Sequence, residues 1–234
     1  MKRIYKAVAV APADDGAGFA VHLDGRPVRS PGQRPLAVPA RTLAEAVAAE
    51  WDAQGDEVDA HSMPMTGFAA TVLDRVSPQR DFVVTELAGY GGSDLVCYLA
   101  DEPAELIVRQ EAAWAPLRDW AESAFEARLR PTAGIMPVAQ SAESLEALHR
   151  AVQALGDWEL APLHTLTTIT GSLVLGLAVL HGRLDAEAAY TASEVDEAFQ
   201  IEKWGMDREA ELRRRARRAE VAEAAKFVEL LRAG

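Results

Sequence analysis

The dipeptide Asp24-Gly25 constrains this chain more than any other feature. A two-residue turn with positive φ at both positions joins antiparallel strands, and Asp-Gly is among the pairs that adopt it most readily. Phe19-Ala20-Val21-His22-Leu23 before it suits a strand, and Arg26-Pro27-Val28-Arg29 after it returns antiparallel. Pro27 and Pro31 put the returning strand at an edge, because proline has no amide to give a ladder. Upstream, Ile4 to Val10 is β-rich and Pro12-Ala13-Asp14-Asp15-Gly16 ends it, while Leu36-Ala37-Val38 adds one more short strand. A sheet this small needs cover on its apolar side. Thr42-Leu43-Ala44-Glu45 has capping-box spacing, with Pro39 able to start the helix a turn earlier. Leu43, Val47 and Trp51 then recur at i+4 on one face, and Gly55 ends the helix.

After His61-Ser62-Met63-Pro64 the pattern is helical throughout. Helices are predicted over 66–76, from the Ser77-Pro78 cap to Tyr90, over 102–129 with a break or kink at Pro116, over 141–155, over 159–181, from Asp185 to Trp204, and from Asp207 onward. Ser93 to Tyr98 reads as a brief connector and 131–140 as a loop. The expected fold class is α+β: a small β-rich domain over 1–60, then a larger all-helical domain over 61–234 with the helix at 159–181 central to its core.

A chain of 234 residues can bury enough surface to fold without a metal or disulfide. Its net charge of -12 opposes a phosphate backbone, so no nucleic acid is expected as a partner. The most apolar run, 171–180, falls well short of the roughly 17 to 25 residues that cross a bilayer, so no direct membrane insertion is expected. The amino-terminal apolar run is too short for a signal peptide, and Asp14 and Asp15 follow it. The single cysteine, Cys97, has no intrachain partner, which fits a reducing compartment.

Motifs of catalysis and cofactor binding are absent. The histidines at 22, 61, 149, 164 and 181 form no zinc-binding helical pair, and one cysteine makes no zinc ribbon. Gly89-Tyr90-Gly91-Gly92-Ser93-Asp94 follows a predicted helix where a dinucleotide fingerprint needs a strand, and reads as a turn. Gly171-Ser172-Leu173-Val174-Leu175-Gly176 lacks the Lys-Ser/Thr of a phosphate loop, and its glycines suit close helix packing. Cys97 reads as a buried structural thiol and His164 as a core histidine. The run Arg213 to Arg218 is flanked by Glu209, Glu211, Glu220 and Glu223 and reads as a solvated, salt-bridged face, ahead of a partner patch. Less ordinary is a helical stripe of Ala192, Val195, Phe199, Glu202 and Met206, in which a carboxylate continues an apolar face near a helix carboxyl end, where the dipole does not favour it. It is either a helix end in water or paired with an arginine of the final helix, or an acidic group within an interaction surface.

From that stripe onward the resemblance becomes specific. Asp196-Glu197-Ala198-Phe199-Gln200-Ile201-Glu202-Lys203-Trp204-Gly205-Met206-Asp207 resembles the signature of the ATP-twelve family, assembly chaperones for the alpha subunit of F-type ATP synthase. Supporting blocks are 19–31 (FAVHLDGRPVRSP), 46–55 (AVAAEWDAQG), 90–98 (YGGSDLVCY), 134–140 (GIMPVAQ) and 171–176, in the family's order along nearly the whole chain. Each block is weak alone, and their joint occurrence is strong. The resemblance implies a β-rich amino-terminal domain with a helical carboxyl-terminal one, no catalysis and no cofactor, and the missing ligand motifs leave no metal site expected. It also implies binding to the free ATP synthase alpha subunit before the beta subunit arrives. It marks Glu202 and Asp207 as functional, and Phe199 and Trp204 beside them as further client-binding candidates. Since the chain starts at its first strand, the resemblance is to a bacterial, cytoplasmic member, expected to be a monomer when free. The alternatives are an enzyme built on two of Glu86, Asp94, Glu197, Glu202 and Asp207, or an interaction module with another client.

Overall fold

The computed structural model describes residues 2–14, 16, 18–134 and 136–234. Asp15 of the first turn signal and Ile135 of the 134–140 block lie outside the described residues. The fold is α+β. Two compact units divide the chain: Met1–Arg80, Asp157–Pro162 and Lys226–Gly234 form the first, Asp81–Gly156 and Leu163–Ala225 the second.

In the first unit, strands β1 (Val8–Pro12), β2 (Phe19–Leu23) and β3 (Arg26–Pro27) pair in order, and β4 (Ala37–Val38) also pairs with β2, all antiparallel. Leu23 stands opposite Arg26, so Asp24 and Gly25 form the whole turn, with φ of 48° and 79°. The Asp24 carboxylate also accepts the amides of Lys6 and Ala7 at 3.1 and 2.9 Å. Helix α1 (Arg41–Asp52) lays Leu43 and Val47 into the same core as Val21 and Val38. Its predicted capping box is not formed. Ala40 is the cap residue and gives no side-chain bond, while the Thr42 hydroxyl donates to the Leu230 carbonyl at 2.6 Å.

This unit extends past residue 60 because one helix does not cover the sheet. Helix α2 (Pro64–Thr71) adds Met65 and Ala69 to the core, and Phe227 completes it, packed 5.2 Å from Phe68 between ring centroids. Glu50 fixes the start of α2, accepting the amides of Met65 and Thr66 at 2.7 and 2.8 Å. Nor does Ser77 begin a helix as predicted. The chain runs on from α2 through a widened turn at Val72–Val76 and a tight turn at Ser77–Gln79 into α3 (Arg80–Gly89). Pro78 is accommodated because the regular i→i−4 ladder is already interrupted there.

The second unit is built around α7 (Leu173–Leu180), in which every residue is buried. The predicted 159–181 helix is two helices, α6 (Asp157–Thr170) and α7, separated at Gly171, whose φ is 69°. Ser172 caps α7, its hydroxyl accepting the Leu175 amide at 3.0 Å. Helix α4 (Ala104–Phe125) passes through Pro116 unbroken, because Trp114, Leu117 and Ala121 are buried along it and packing overrides the lost bond. The unit is not wholly helical: β5 (Tyr98–Leu99) and β6 (Thr132–Ala133) form a short parallel pair. Helix α5 (Ala142–Gln153) is capped by Ser141. The stretch predicted as one helix from Asp185 is divided at Glu194 into α8 (Ala186–Ser193) and α9 (Val195–Trp204), and α10 (Arg208–Arg232) follows. Asp185 caps α8 as expected, accepting the Ala188 amide at 2.7 Å.

Candidate functional site

Helices α4 and α9 pack antiparallel within the second unit. Trp114 Nε1 donates to the Ala192 carbonyl at 2.8 Å just ahead of α9, and Gln110 Nε2 donates to Asp196 Oδ1 at 2.6 Å. One turn further, Phe199 is 4% exposed. It is thus an anchor of α9 and not a surface contact, because its ring fills the seam between the helices and two cations cover it. Arg109 Cζ and Lys203 Nζ lie 5.3 and 5.0 Å from the ring centroid.

The same cations build three linked ion pairs at the surface, joined into a ring only by the backbone between Glu202 and Lys203. Arg109 Nη1 donates to both Glu202 oxygens at 2.8 Å, and its Nη2 donates to Glu105 Oε1 at 2.8 Å. Lys203 Nζ then reaches Glu105 Oε2 at 3.1 Å. The Glu202 hydrogen bond, before other causes, holds the Arg109 guanidinium above its usual range. The Lys203 hydrogen bond is the first cause that holds the Glu105 carboxyl below its own. Two cations and two carboxylates leave this patch with no net charge, although the acidic excess of the chain lies almost entirely in the second unit.

Glu202 therefore lies at the surface, with its side chain 53% exposed and an arginine partner. That partner comes from α4, not from the final helix. The expected stripe is shorter than the sequence suggested, since Ala192 precedes the break at Glu194 and Met206 follows the end of α9. Gly205, at φ 82°, ends the helix as predicted. Trp204 beside it is 78% exposed, and Met206 and Val108 are 41% and 68% exposed. Asp207 accepts the Ala210 amide at 2.8 Å and caps α10 as expected.

The arginine run divides into two groups. Arg213 and Arg215 pair with Glu209 and Glu211 one turn earlier, and Arg218 pairs with Glu187. These are the solvated pairs expected. Arg214 differs: its Nε donates at 2.7 Å to Glu194, whose side chain is only 7% exposed, and Arg217 approaches the other oxygen at 3.6 Å. Thus the run also fastens the break between α8 and α9.

Four carboxylates of the enzyme alternative have other partners. Asp94 is fully buried and accepts the amides of Val96 and Val174 at 3.2 and 3.0 Å. Glu202 and Asp207 are engaged as above. Glu86 lies 3.8 Å from His164 Nε2, which makes His164 a half-exposed surface residue and not the core histidine expected. Cys97 is buried, and desolvation, then the charge of Asp94, pushes its thiol up to about 12. Among the described residues no cluster of three or more potential ligands could hold a metal. Nor is any helix among them long and apolar enough to cross a membrane.

Glu105 and Arg109 were missed from the sequence. Their i,i+4 spacing on α4 was visible, but the link from Arg109 to Glu202 spans 93 positions and only the fold creates it.

Relatives give the class first. The Atu1473 protein of Agrobacterium tumefaciens, described as a candidate chaperone, matches with a TM-score of 0.90 and 38% identity over 97% of this chain and 84% of that one. The fold is thus one shared with a protein described as a chaperone. Residues 2–122 match the ATP12 chaperone protein family, and the chain belongs to that family. Its fold matches Atp12 of Paracoccus denitrificans at a TM-score of 0.95, with 42% identity over 99% of this chain and 98% of that one; a point mutant of the same protein matches equally. The mitochondrial atp12 protein of Schizosaccharomyces pombe is 25% identical over 79% of this chain and 68% of its own length.

Proposed function

We propose that this chain binds the free alpha subunit of F-type ATP synthase and shields its intersubunit surface until the ring assembles. The observation that carries this reading is the end of α9. There Trp204 stands exposed beside an ion-pair ring containing Glu202, within the very segment whose sequence resembles the family signature. A free subunit of a ring exposes apolar area, and a reversible cover needs a small apolar core with a charged rim. Glu202 and Trp204 supply the contact, Phe199 seats the helix that carries them, and Asp207 holds the turn that follows. Binding and release require no catalysis and no cofactor, and the protein acts as a monomer. We place it in the cytoplasm, where the buried free thiol of Cys97 suits a reducing compartment.

Co-purification with the alpha subunit, and light scattering as that subunit is diluted from denaturant, test the proposal. Stoichiometric capture and suppressed scattering without nucleotide hydrolysis are expected. No interaction at low salt, where charge steering is least screened, would overturn it.

A further inference from the structure

We infer that Arg109 is a positioning residue of the client surface, and that Glu202 meets the client as one edge of a neutral ion-pair ring. This rests on the proposal that the end of α9 is the binding face. Glu202 does not stand as a free anion. Both of its oxygens are held by one nitrogen of Arg109, whose other terminal nitrogen holds Glu105, and Glu105 in turn holds Lys203. Lys203 is the covalent neighbour of both Glu202 and Trp204, so the ring closes on the last turn of α9 itself. The planar fork of arginine suits such a bridge, since it presents donors in fixed directions to two carboxylates at once.

The kind of partner surface follows from the charge balance. A free carboxylate would select a lone cation on the client. The ring has no net charge to offer, yet the side chains of both Glu202 and Glu105 are half-exposed, with Trp204 and Val108 exposed beside them. It therefore fits an apolar client patch bordered by neutral hydrogen-bond donors. The acidic excess of the rest of the unit acts on encounter and not on this contact.

Isothermal titration of free alpha subunit into the full-length chain tests this with four proteins: wild type, Arg109→Gln, Glu202→Gln and the double variant. Losses of about tenfold in each single variant are expected, the size of effect common for a charge-assisted contact at an interface. The double variant should bind no more weakly than the worse single one, as for residues acting as a unit. Thermal melts should stay close to wild type throughout, since these groups are exposed and their pairs add little to folding.

Arg109→Gln binding like wild type while Glu202→Gln is weakened would overturn the inference, since Glu202 would then act alone. Losses that multiply in the double variant would overturn it as well. If every variant binds like wild type, the ring lies outside the contact and the inference falls while the chaperone activity stands. If wild type itself does not bind, the proposed function fails and the inference with it.

Discussion

Glu194 and Arg214 form the least exposed ion pair to which the arginine run contributes, with Nε 2.7 Å from the carboxylate and the Glu194 side chain 7% exposed. Glu194 sits at the break between α8 and α9, and Arg214 comes from α10. Removing Arg214 leaves the buried Glu194 carboxylate only the longer contact with Arg217, a change more destabilising than losing a solvated pair. Arg214→Ser is expected to cost about 2 kcal/mol in urea unfolding, reduced from the fully buried range because Arg214 itself is partly exposed. Arg218→Ser, which breaks only the exposed pair with Glu187, should stay within about 0.5 kcal/mol. Equal effects from the two substitutions would show that the Glu194 pair has no special place in the fold.

Asp207 offers a cleaner case of local stabilisation. Its carboxylate satisfies the Ala210 amide at the start of a helix that runs to Arg232. Asp207→Ala should cost about 1 kcal/mol and Asp207→Asn only a small part of it, because asparagine caps nearly as well. Denaturant midpoints on both variants decide this. If asparagine loses as much as alanine, the charge of Asp207 matters and the cap does not.

How much of this was legible follows from the range of each interaction. The Asp24-Gly25 turn, the Asp185 and Asp207 caps and the Gly205 stop are set by residues within a few positions, and the sequence shows them directly. Three of the errors share an origin. Thr42, Ser77 and Pro116 each carry a strong local signal that their surroundings override: Thr42 bonds Leu230, Ser77 lies inside a continuing helical run, and Trp114 with Leu117 holds α4 through its proline. Glu202 was legible as an anomaly on a helical face. Its partner was not, because an arginine 93 positions away has no local signature.

Asp94 gives a pH dependence of defined sign. Desolvation, the largest effect, outweighs the hydrogen bonds of Ser172, Val174 and Val96 and raises its carboxyl to about 6. In the unfolded chain an aspartate titrates near 3.9, so between about 4 and 6 the folded state binds the extra proton. The contribution of Asp94 to stability is then fully present below pH of about 4 and is lost as pH rises through about 6, by roughly 3 kcal/mol. Asp94→Asn cannot titrate. The stability of wild type minus that of Asp94→Asn should therefore fall as pH rises across this window, in urea unfolding at a series of pH values. A difference that stays flat, or grows with pH, would show that the amide bonds dominate and the carboxyl is not raised.

Trp204 and Phe199 separate contact from scaffold within one helix. Trp204 is 78% exposed and Phe199 is 4% exposed, although they are five residues apart on α9. An exposed tryptophan at the centre of an interface is often among the few residues that carry binding energy, because its large surface is desolvated only in the complex. Trp204→Ala should leave the melting temperature nearly unchanged and weaken alpha-subunit binding by roughly 2 kcal/mol. Phe199→Ala removes a ring from a packed seam and also strips Arg109 and Lys203 of the surface they cover. It should destabilise the protein by roughly 3 kcal/mol, with affinity lost only as the last turn of α9 loosens. Melting curves and titrations on both variants tell these roles apart. If Trp204→Ala unfolds the protein while affinity persists in the folded fraction, Trp204 is part of the scaffold and the contact surface lies elsewhere on the chain.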